Sequence, residues 1–363
     1  MLAALCLFLV QSEARAPRDL TETLVPLLAE SGLPALGAAV VTAGGLEALG
    51  AAGLRSWTGD VDVTSDDRWH LGSCTKAMTA TLVARLVERG TLGWETTVGS
   101  VFPEGLDAGW RDVTVLWLLC HRSGASLNFE QELWERMVAR GGTLREQRRF
   151  FVAEGLAHPP ATPPNTSTSY SNAAFVVAAA MLEELTDTPY EELMAREVFA
   201  PLGMTKSGFG APGTAGKLDQ PLGHVRGGER WTPVALGPGD DNPAAGNPAG
   251  GAHATLGDWA RFIAAHLRRD ESFLSAASWT RLHTSGGSDW GQSPGWVVTE
   301  ADWADGPLLR HLGSNGFWVA EASLAPSRDL AILLVTNVGD DAAERPFHAL
   351  LETLAAVPSE RPK

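Results

Sequence analysis

The sequence predicts an α/β fold of the α+β type: an antiparallel sheet drawn from both ends of the chain, flanked by helices, with an all-helical subdomain inserted between. Three observations lead there. Short apolar runs bounded by glycine and turn residues, which read as strands, cluster near the N-terminus and again toward the C-terminus. From about residue 100 to 230 the apolar spacing becomes helical, with proline-rich loops between. No internal repeat points to a solenoid or propeller.

Taken in order, "PRDLTETLVPLLAESG" has apolar spacing of three and four and stops at Gly32, as an amphipathic helix does. "LPALGAAVVTAGGLEALGAAGLRSW" reads as two strands turning at Gly44-Gly45. "DRWHLGS" is a short strand running into a glycine turn. "CTKAMTATLVARLVERG" is a helix with Ala77, Met78, Leu82, Val83, Leu86 and Val87 on one face and Gly90 at its end. "VTVLWLLCHRSG", "LREQRRFFVAEGLA", "NAAFVVAAAMLEELTD" and "PYEELMAREVFAPLG" read as helices of the inserted part. "GPGDDNPAAGNPAGG" reads as a long loop, followed by the helix "LGDWARFIAAHLRRD". "GWVVTE", "PLLRHLG", "GFWVAEASLAP" and "LAILLVTNVG" read as strands, and "AERPFHALLETLAA" as a last helix. The expected division is a leader at 1–16, a sheet core at about 17–99 plus 231–356, and a helical subdomain at about 100–230.

Composition narrows the function. A net charge of −15 without basic runs argues against nucleic acid as a partner. The histidines are scattered and no Cys-x-x-Cys pair occurs, so no metal site is expected. Leu2 to Val10 is apolar and Ala14-Arg15-Ala16 resembles a small-x-small cleavage site, which reads as a signal peptide that lacks its basic start. The run is too short to span a bilayer, which takes ~20 residues, so a periplasmic or secreted protein without stable membrane insertion is expected. Cys74 and Cys120 fall in apolar helical patterns and read as small core residues, not as a disulfide. Oligomeric state is left open.

Three short stretches carry chemistry. In "HLGSCTKAM", Ser73 and Lys76 are three apart, neighbours on one helix face. A serine hydroxyl needs a base before it attacks, and a lysine of depressed pKa can be that base. Gly72 permits the turn that puts the hydroxyl at a helix N-terminus, where amides stabilise developing negative charge. In "TSYSNAAF", Tyr170 near a lysine cation is expected to ionise more easily than its usual pKa of ~10 allows, and so to shuttle protons. Asn172 offers a donor and an acceptor to a substrate. The bland alternative is a capped helix start with a half-buried tyrosine. In "RHLGSNGF", Gly313 lets a substrate approach the strand, and the Ser314 amide can join that of Ser73 as an oxyanion hole; alone, the segment is equally a hairpin turn.

In this order, Ser-x-x-Lys, Tyr-x-Asn and His-x-Gly resemble the serine β-lactamase and penicillin-binding-protein superfamily, in particular the class C β-lactamase, D-alanyl-D-alanine carboxypeptidase and family VIII esterase branch. "VTVLWLLCHRSGAS" is similar to the family's "LLTHTSGL" segment, and "PAGGAHATLGDWARFIAAHL" to its "AGGL.ST..DLARF" helix. "YSNAAFVVAAAMLEELTDTPYEELMAREVFAPLGMTKSGFG" resembles the family nearly throughout. The resemblance implies a β-lactamase/transpeptidase-like fold and an exported serine hydrolase without cofactor. Catalysis would fall to Ser73, Lys76 and Tyr170, with the Ser73 and Ser314 amides as oxyanion hole and Asn172, His311, Leu312 and Gly313 binding substrate. Two departures matter. His311 stands where β-lactamases usually carry lysine, and Leu312 where most relatives carry a hydroxyl that binds the substrate carboxylate. An ester, amide or peptide bond in a small molecule or peptide is therefore the expected target, with a true β-lactamase or D-alanyl-D-alanine carboxypeptidase as the alternative. A non-catalytic penicillin-recognising or peptidoglycan-binding module is the rival of another class. Any residual carboxylate binding is expected to depend on protonated His311, and to fade as pH rises past about 6.5. His121 is read as fixing a loop. Trp110, Trp117, Trp231, Trp290, Trp296, Trp303 and Trp318 are read mainly as core.

Overall fold

The computed structural model describes residues 16–228, 230–235, 241–285, 291–339 and 341–356. All but the last residue of the expected leader, and Trp290, lie outside the described residues.

The main sheet has eight strands in the order β1–β3–β2–β13–β12–β11–β10–β9. The N-terminal part supplies β1 (Arg18–Asp19), β2 (Ala35–Thr42) and β3 (Gly45–Gly53). The C-terminal part supplies β9 (Gln292–Ser293), β10 (Trp296–Glu300), β11 (Pro307–Ser314), β12 (Val319–Ala325) and β13 (Leu330–Thr336). The seam between the two chain ends is the β2–β13 pair, in register from Val41 opposite Ala331 to Leu36 opposite Thr336. Every pairing is antiparallel except that of β1 with β3.

Side chains on a strand alternate between faces, and here both faces are covered. Leu36, Ala38, Val40, Ile332 and Leu334 join one core with α1 (Thr21–Ser31) and the last helix, α12 (Glu344–Ala355). Ala39, Val41, Leu333 and Val335 join the other with α2 (Thr75–Glu88) and α10 (Leu256–Arg268). Two buried faces explain why β2 and β13 are continuously apolar.

A second sheet, in the order β4–β8–β5, holds β4 (Arg68–His70), β8 (Ala252–Thr255) and β5 (Gly208–Phe209). Between residues 98 and 199 lie α3 (Val98–Val101), α4 (Val115–Leu119), α5 (Gln131–Arg140), α6 (Leu144–Leu156), α7 (Asn172–Thr186) and α8 (Tyr190–Met194). Ala173 to Leu182 of α7 are all buried, as expected of a helix apolar all round.

The structure differs from the sequence reading in five places. Helix α5 was not expected, although Leu133, Trp134 and Met137 form its buried stripe. A short helix, α11 (Ala276–His283), and the hairpin of β6 (His224–Gly227) with β7 (Arg230–Pro233) also went unread, being too short and polar to show a period. The helix expected at 189–203 is α8 continued by a π turn, Ala195–Phe199. The long glycine- and proline-rich loop contains α9 (Asn247–Gly250), whose carbonyls matter below.

Candidate active site

Strand β4 delivers the chain to Gly72, whose φ of 49° places it in the left-handed region that glycine tolerates best. A 3-10 turn, Gly72–Cys74, then leads into α2. The turn packs directly on β11. A Cβ on Gly72 would lie 2.4 Å from the Ser314 nitrogen, and one on Gly313 would lie 2.7 Å from the Ser73 nitrogen. Two facing glycines therefore bring the Ser73 and Ser314 amides onto adjacent backbone segments, with no room for a side chain at either glycine.

Ser73 lies between two hydrogen-bonding groups. Tyr170 donates its hydroxyl to Ser73 Oγ at 2.6 Å, and Lys76 Nζ lies 3.1 Å from the same atom. Lys76 Nζ also meets Asn172 Oδ1 at 2.8 Å and the Ala249 carbonyl of α9 at 2.6 Å. Lys76 is fully buried, and loss of hydration holds its ammonium well below the usual lysine range. A neutral amine has two N–H bonds and one lone pair. The two N–H bonds match Asn172 and Ala249, which leaves the lone pair for the Ser73 hydroxyl.

Tyr170 departs from the expectation drawn from sequence. Burial pushes its hydroxyl up to about 12, outweighing the hydrogen bond to Ser73. The residue is 41% exposed, so solvent tempers the size of that shift but not its sign. The expectation that a lysine cation eases its ionisation fails because burial of the phenol is the larger effect, and burial also works against charge on Lys76. Tyr170 enters the site as a proton donor.

His311 is corrected in the same way. It is buried, and desolvation and Lys76 push its imidazole down to about 3. Its Nδ1 lies 2.9 Å from the Leu312 carbonyl, to which a neutral ring donates. It carries no charge near pH 6.5, so the pH dependence expected of it is withdrawn. Leu312 is 54% exposed and offers no hydrogen bond. The next side chain on its strand face, Arg310, is committed to Glu321 at 2.7 and 3.0 Å. Asn172 is engaged at both ends, with Oδ1 on Lys76 and Nδ2 donating to Asn128 Oδ1 at 2.9 Å. Its visible work is to hold the lysine.

His121, at φ 58°, accepts the Ser171 N–H on Nδ1 at 3.0 Å and packs its ring 4.4 Å from that of Tyr170. It is pushed well down by burial, with Lys76 and His311 adding to the shift. The loop-fixing reading of His121 thus holds, and it also positions Tyr170. Cys74 and Cys120 are buried free thiols. Trp110, Trp231, Trp296 and Trp318 are buried core residues.

A family model described as Beta-lactamase matches residues 20–357. This chain belongs to the β-lactamase family, and is a serine hydrolase of that superfamily. Penicillin-binding protein 4 of Amycolatopsis lactamdurans is 30% identical over 336 residues, 86% of this chain and 83% of its own. Among solved structures, the octameric penicillin-binding protein homologue from Pyrococcus abyssi superposes with a TM-score of 0.76 at 22% identity, covering 93% of this chain and 77% of the other. The D-amino acid amidase from Ochrobactrum anthropi SV3 gives 0.74 at 21%, covering 92% and 98%. At these identities the two structures attest the fold.

Within this β-lactamase-family site, sequence reading missed three groups. The Ala249 carbonyl has no side-chain signature, and its segment was read as loop. Asn128 sits in a stretch assigned to no element. Pro248 contributes a second carbonyl, which accepts the Thr79 hydroxyl at 2.7 Å, so residues three apart on α2 both anchor to α9. That anchor is held from behind by Asn247 Nδ2 on Glu191, itself paired with buried Arg148.

The buried imidazoles carry a stability consequence. His311 and His283 are lowered to about 3, and His224 and His253 to about 4. Below an unfolded value of ~6.5 the unfolded chain binds more protons than the folded one, so stability falls as pH falls. The thermal unfolding midpoint should be level above pH 7 on this account and drop progressively from about pH 6.5 to 4. A midpoint unchanged over that range contradicts neutral burial of these rings.

Proposed function

We propose that this chain is an exported hydrolase that forms an acyl-enzyme on Ser73 and cleaves an ester, amide or peptide bond in a substrate with no carboxylate beside the scissile bond. One observation carries the reading: a buried Lys76, its ammonium disfavoured by lost hydration, lies 3.1 Å from Ser73 Oγ while Tyr170 donates to the same oxygen at 2.6 Å. Ser73 attacks the carbonyl carbon, and its proton passes to the Lys76 lone pair. The Ser73 and Ser314 amides receive the oxyanion. Tyr170 gives its proton to the departing oxygen or nitrogen and is recharged from Lys76. Water attacks the acyl-enzyme by the reverse route and releases the acid. Asn172, His311 and Gly313 line the approach, with His311 as a neutral ring. Export rests on the apolar leader and its Ala14-Arg15-Ala16 site. The division into a sheet core at about 17–99 plus 231–356 and a subdomain at about 100–230 belongs to the same reading.

Substrate choice follows from what surrounds Ser73. Leu312 and Leu127 are each more than half exposed, and Leu127 lies beside the start of α7, its carbonyl accepting the Asn172 amide. Arg310 is occupied by Glu321 and His311 is uncharged. A β-lactam or a C-terminal D-alanine carries a carboxylate that needs charge-assisted hydrogen bonds, each worth ~1.5–3 kcal/mol. The relationship to a penicillin-binding protein keeps the carboxypeptidase reading in view.

Side-by-side kcat/KM values for p-nitrophenyl esters, a chromogenic cephalosporin and D-amino-acid peptides test the proposal. Neutral esters should lead. Leu312→Thr should raise the cephalosporin value roughly tenfold, the equivalent of 1.4 kcal/mol, and leave short esters nearly unchanged. Wild-type cephalosporin turnover typical of a dedicated β-lactamase, or an equal gain on esters, would defeat the carboxylate argument.

A further inference from the structure

Behind the nucleophile turn lies a polar chain that the reaction scheme does not use. His70, 1% exposed at the end of β4, accepts the Gly72 N–H on Nδ1 at 3.1 Å. An acceptor at Nδ1 leaves the imidazole proton on Nε2. That nitrogen is buried and 3.2 Å from Asp241 Oδ1, a contact off the ideal hydrogen-bond line. The same carboxylate oxygen accepts the Asn315 side-chain amide at 2.9 Å and the Asn242 N–H at 2.7 Å. Asn315 in turn accepts the backbone N–H groups of Phe317 and Trp318 through Oδ1, each at 3.1 Å. The His70 ring stacks on Trp318, with centroids 5.7 Å apart.

The chain thus begins one residue before Ser73 and ends one residue after Ser314. Its first hydrogen bond sets the amide of Gly72, a residue in the left-handed region whose rotation would turn the following peptide. Its last hydrogen bonds shape the turn that leaves β11 at Ser314. One carboxylate oxygen joins the two. Burial works against ionisation of Asp241, yet the donors from His70, Asn315 and Asn242 outweigh it and hold the carboxyl below its ordinary range.

We propose that Asp241, acting through His70 and Asn315, is a positioning residue that sets the spacing of the Ser73 and Ser314 amides. This rests on the acyl-enzyme reading above, since an oxyanion hole has a purpose only there. Such a hole works by preorganisation: donors must face the tetrahedral oxygen, not the planar carbonyl. A brace that fixes their separation acts on the transition state and little on substrate binding.

The test is Asp241→Ala and Asp241→Asn, measured with a neutral p-nitrophenyl ester beside Ser73→Ala. Asp241→Ala should lower kcat by about 10–100-fold with KM within about twofold. Binding of an alkyl boronic acid, which forms a tetrahedral adduct, should weaken by a similar factor. Asp241→Asn keeps an oxygen acceptor for His70 and Asn315 and should recover most of the rate. If Asp241→Ala does not fold, Asn315→Ala, which cuts the brace at its other end, should show the same loss in kcat at constant KM. The brace is overturned if the folded Asp241→Ala protein (or Asn315→Ala in its place) keeps wild-type kcat, if Asp241→Asn is impaired as badly as Asp241→Ala, or if the loss falls on KM alone. Turnover surviving in Ser73→Ala overturns the underlying acyl-enzyme reading instead, and with it the brace.

Discussion

Ser73→Ala should lower ester turnover on the order of 10⁴–10⁶-fold and abolish covalent labelling, while the protein unfolds at nearly the wild-type temperature. The size of the loss follows from removal of the atom proposed to form the acyl bond. Without Oγ no acyl bond can form, and what remains is the electrostatic contribution of the amides. The small effect on stability follows from the position of Ser73, which is half-buried on a turn held by other bonds: Thr75 Oγ1 donates to the Gly72 carbonyl at 2.7 Å and accepts the Ala252 N–H at 3.0 Å. Mass spectrometry after a fluorophosphonate should find the adduct on the Ser73 peptide of the wild type. An adduct and activity that both persist in Ser73→Ala would remove the mechanism.

Tyr170→Phe and Lys76→Met should each cost about 10²–10⁴-fold in kcat, the usual worth of general acid–base help. The double variant should be little worse than the worse single one, because both groups move the same proton and groups acting as a unit are not additive. Fully multiplicative losses would show two independent roles. The two single variants should part on stability. Tyr170→Phe deletes a hydroxyl at the cleft mouth and should leave the unfolding midpoint nearly unchanged. Lys76→Met leaves Asn172 Oδ1 and the Ala249 carbonyl without a donor in a dry interior, at about 1–3 kcal/mol for each orphaned group. Because these partners are an amide oxygen and a backbone carbonyl, no stranded counter-ion adds to that cost.

Much of the molecule was legible before any coordinates. The apolar runs of β2 and β13 marked strands, and their positions near the two termini implied a sheet that joins the chain ends. The pairing of Val41 with Ala331 and Leu36 with Thr336 is that joint. Gly72 and Gly313 were singled out for turn and approach, and both are places where a Cβ would strike backbone. Of the elements that escaped, α9 is four residues long and α11 mixes polar with apolar residues over eight, whereas α5 has a period in Leu133, Trp134 and Met137 that went unread.

Ser73, Lys76 and Tyr170 could be named from sequence because spacing and order along a chain are one-dimensional properties. Their electrical state could not. Charge on Lys76 is disfavoured because α7 and α9 close over it, with partners 96 and 173 residues away in the chain, and no local pattern records that loss of water. The same desolvation keeps His311 neutral in the range where its protonation was expected to matter, and makes Tyr170 harder to ionise where it was expected to be easier. The sequence alone brought out Ser73, Lys76 and Tyr170 and the elements they ride on, but not the Ala249, Pro248 and Asn128 groups that support them. Only the tertiary structure decided which of them are charged, since a pKa depends on the solvent and charges surrounding a group in three dimensions.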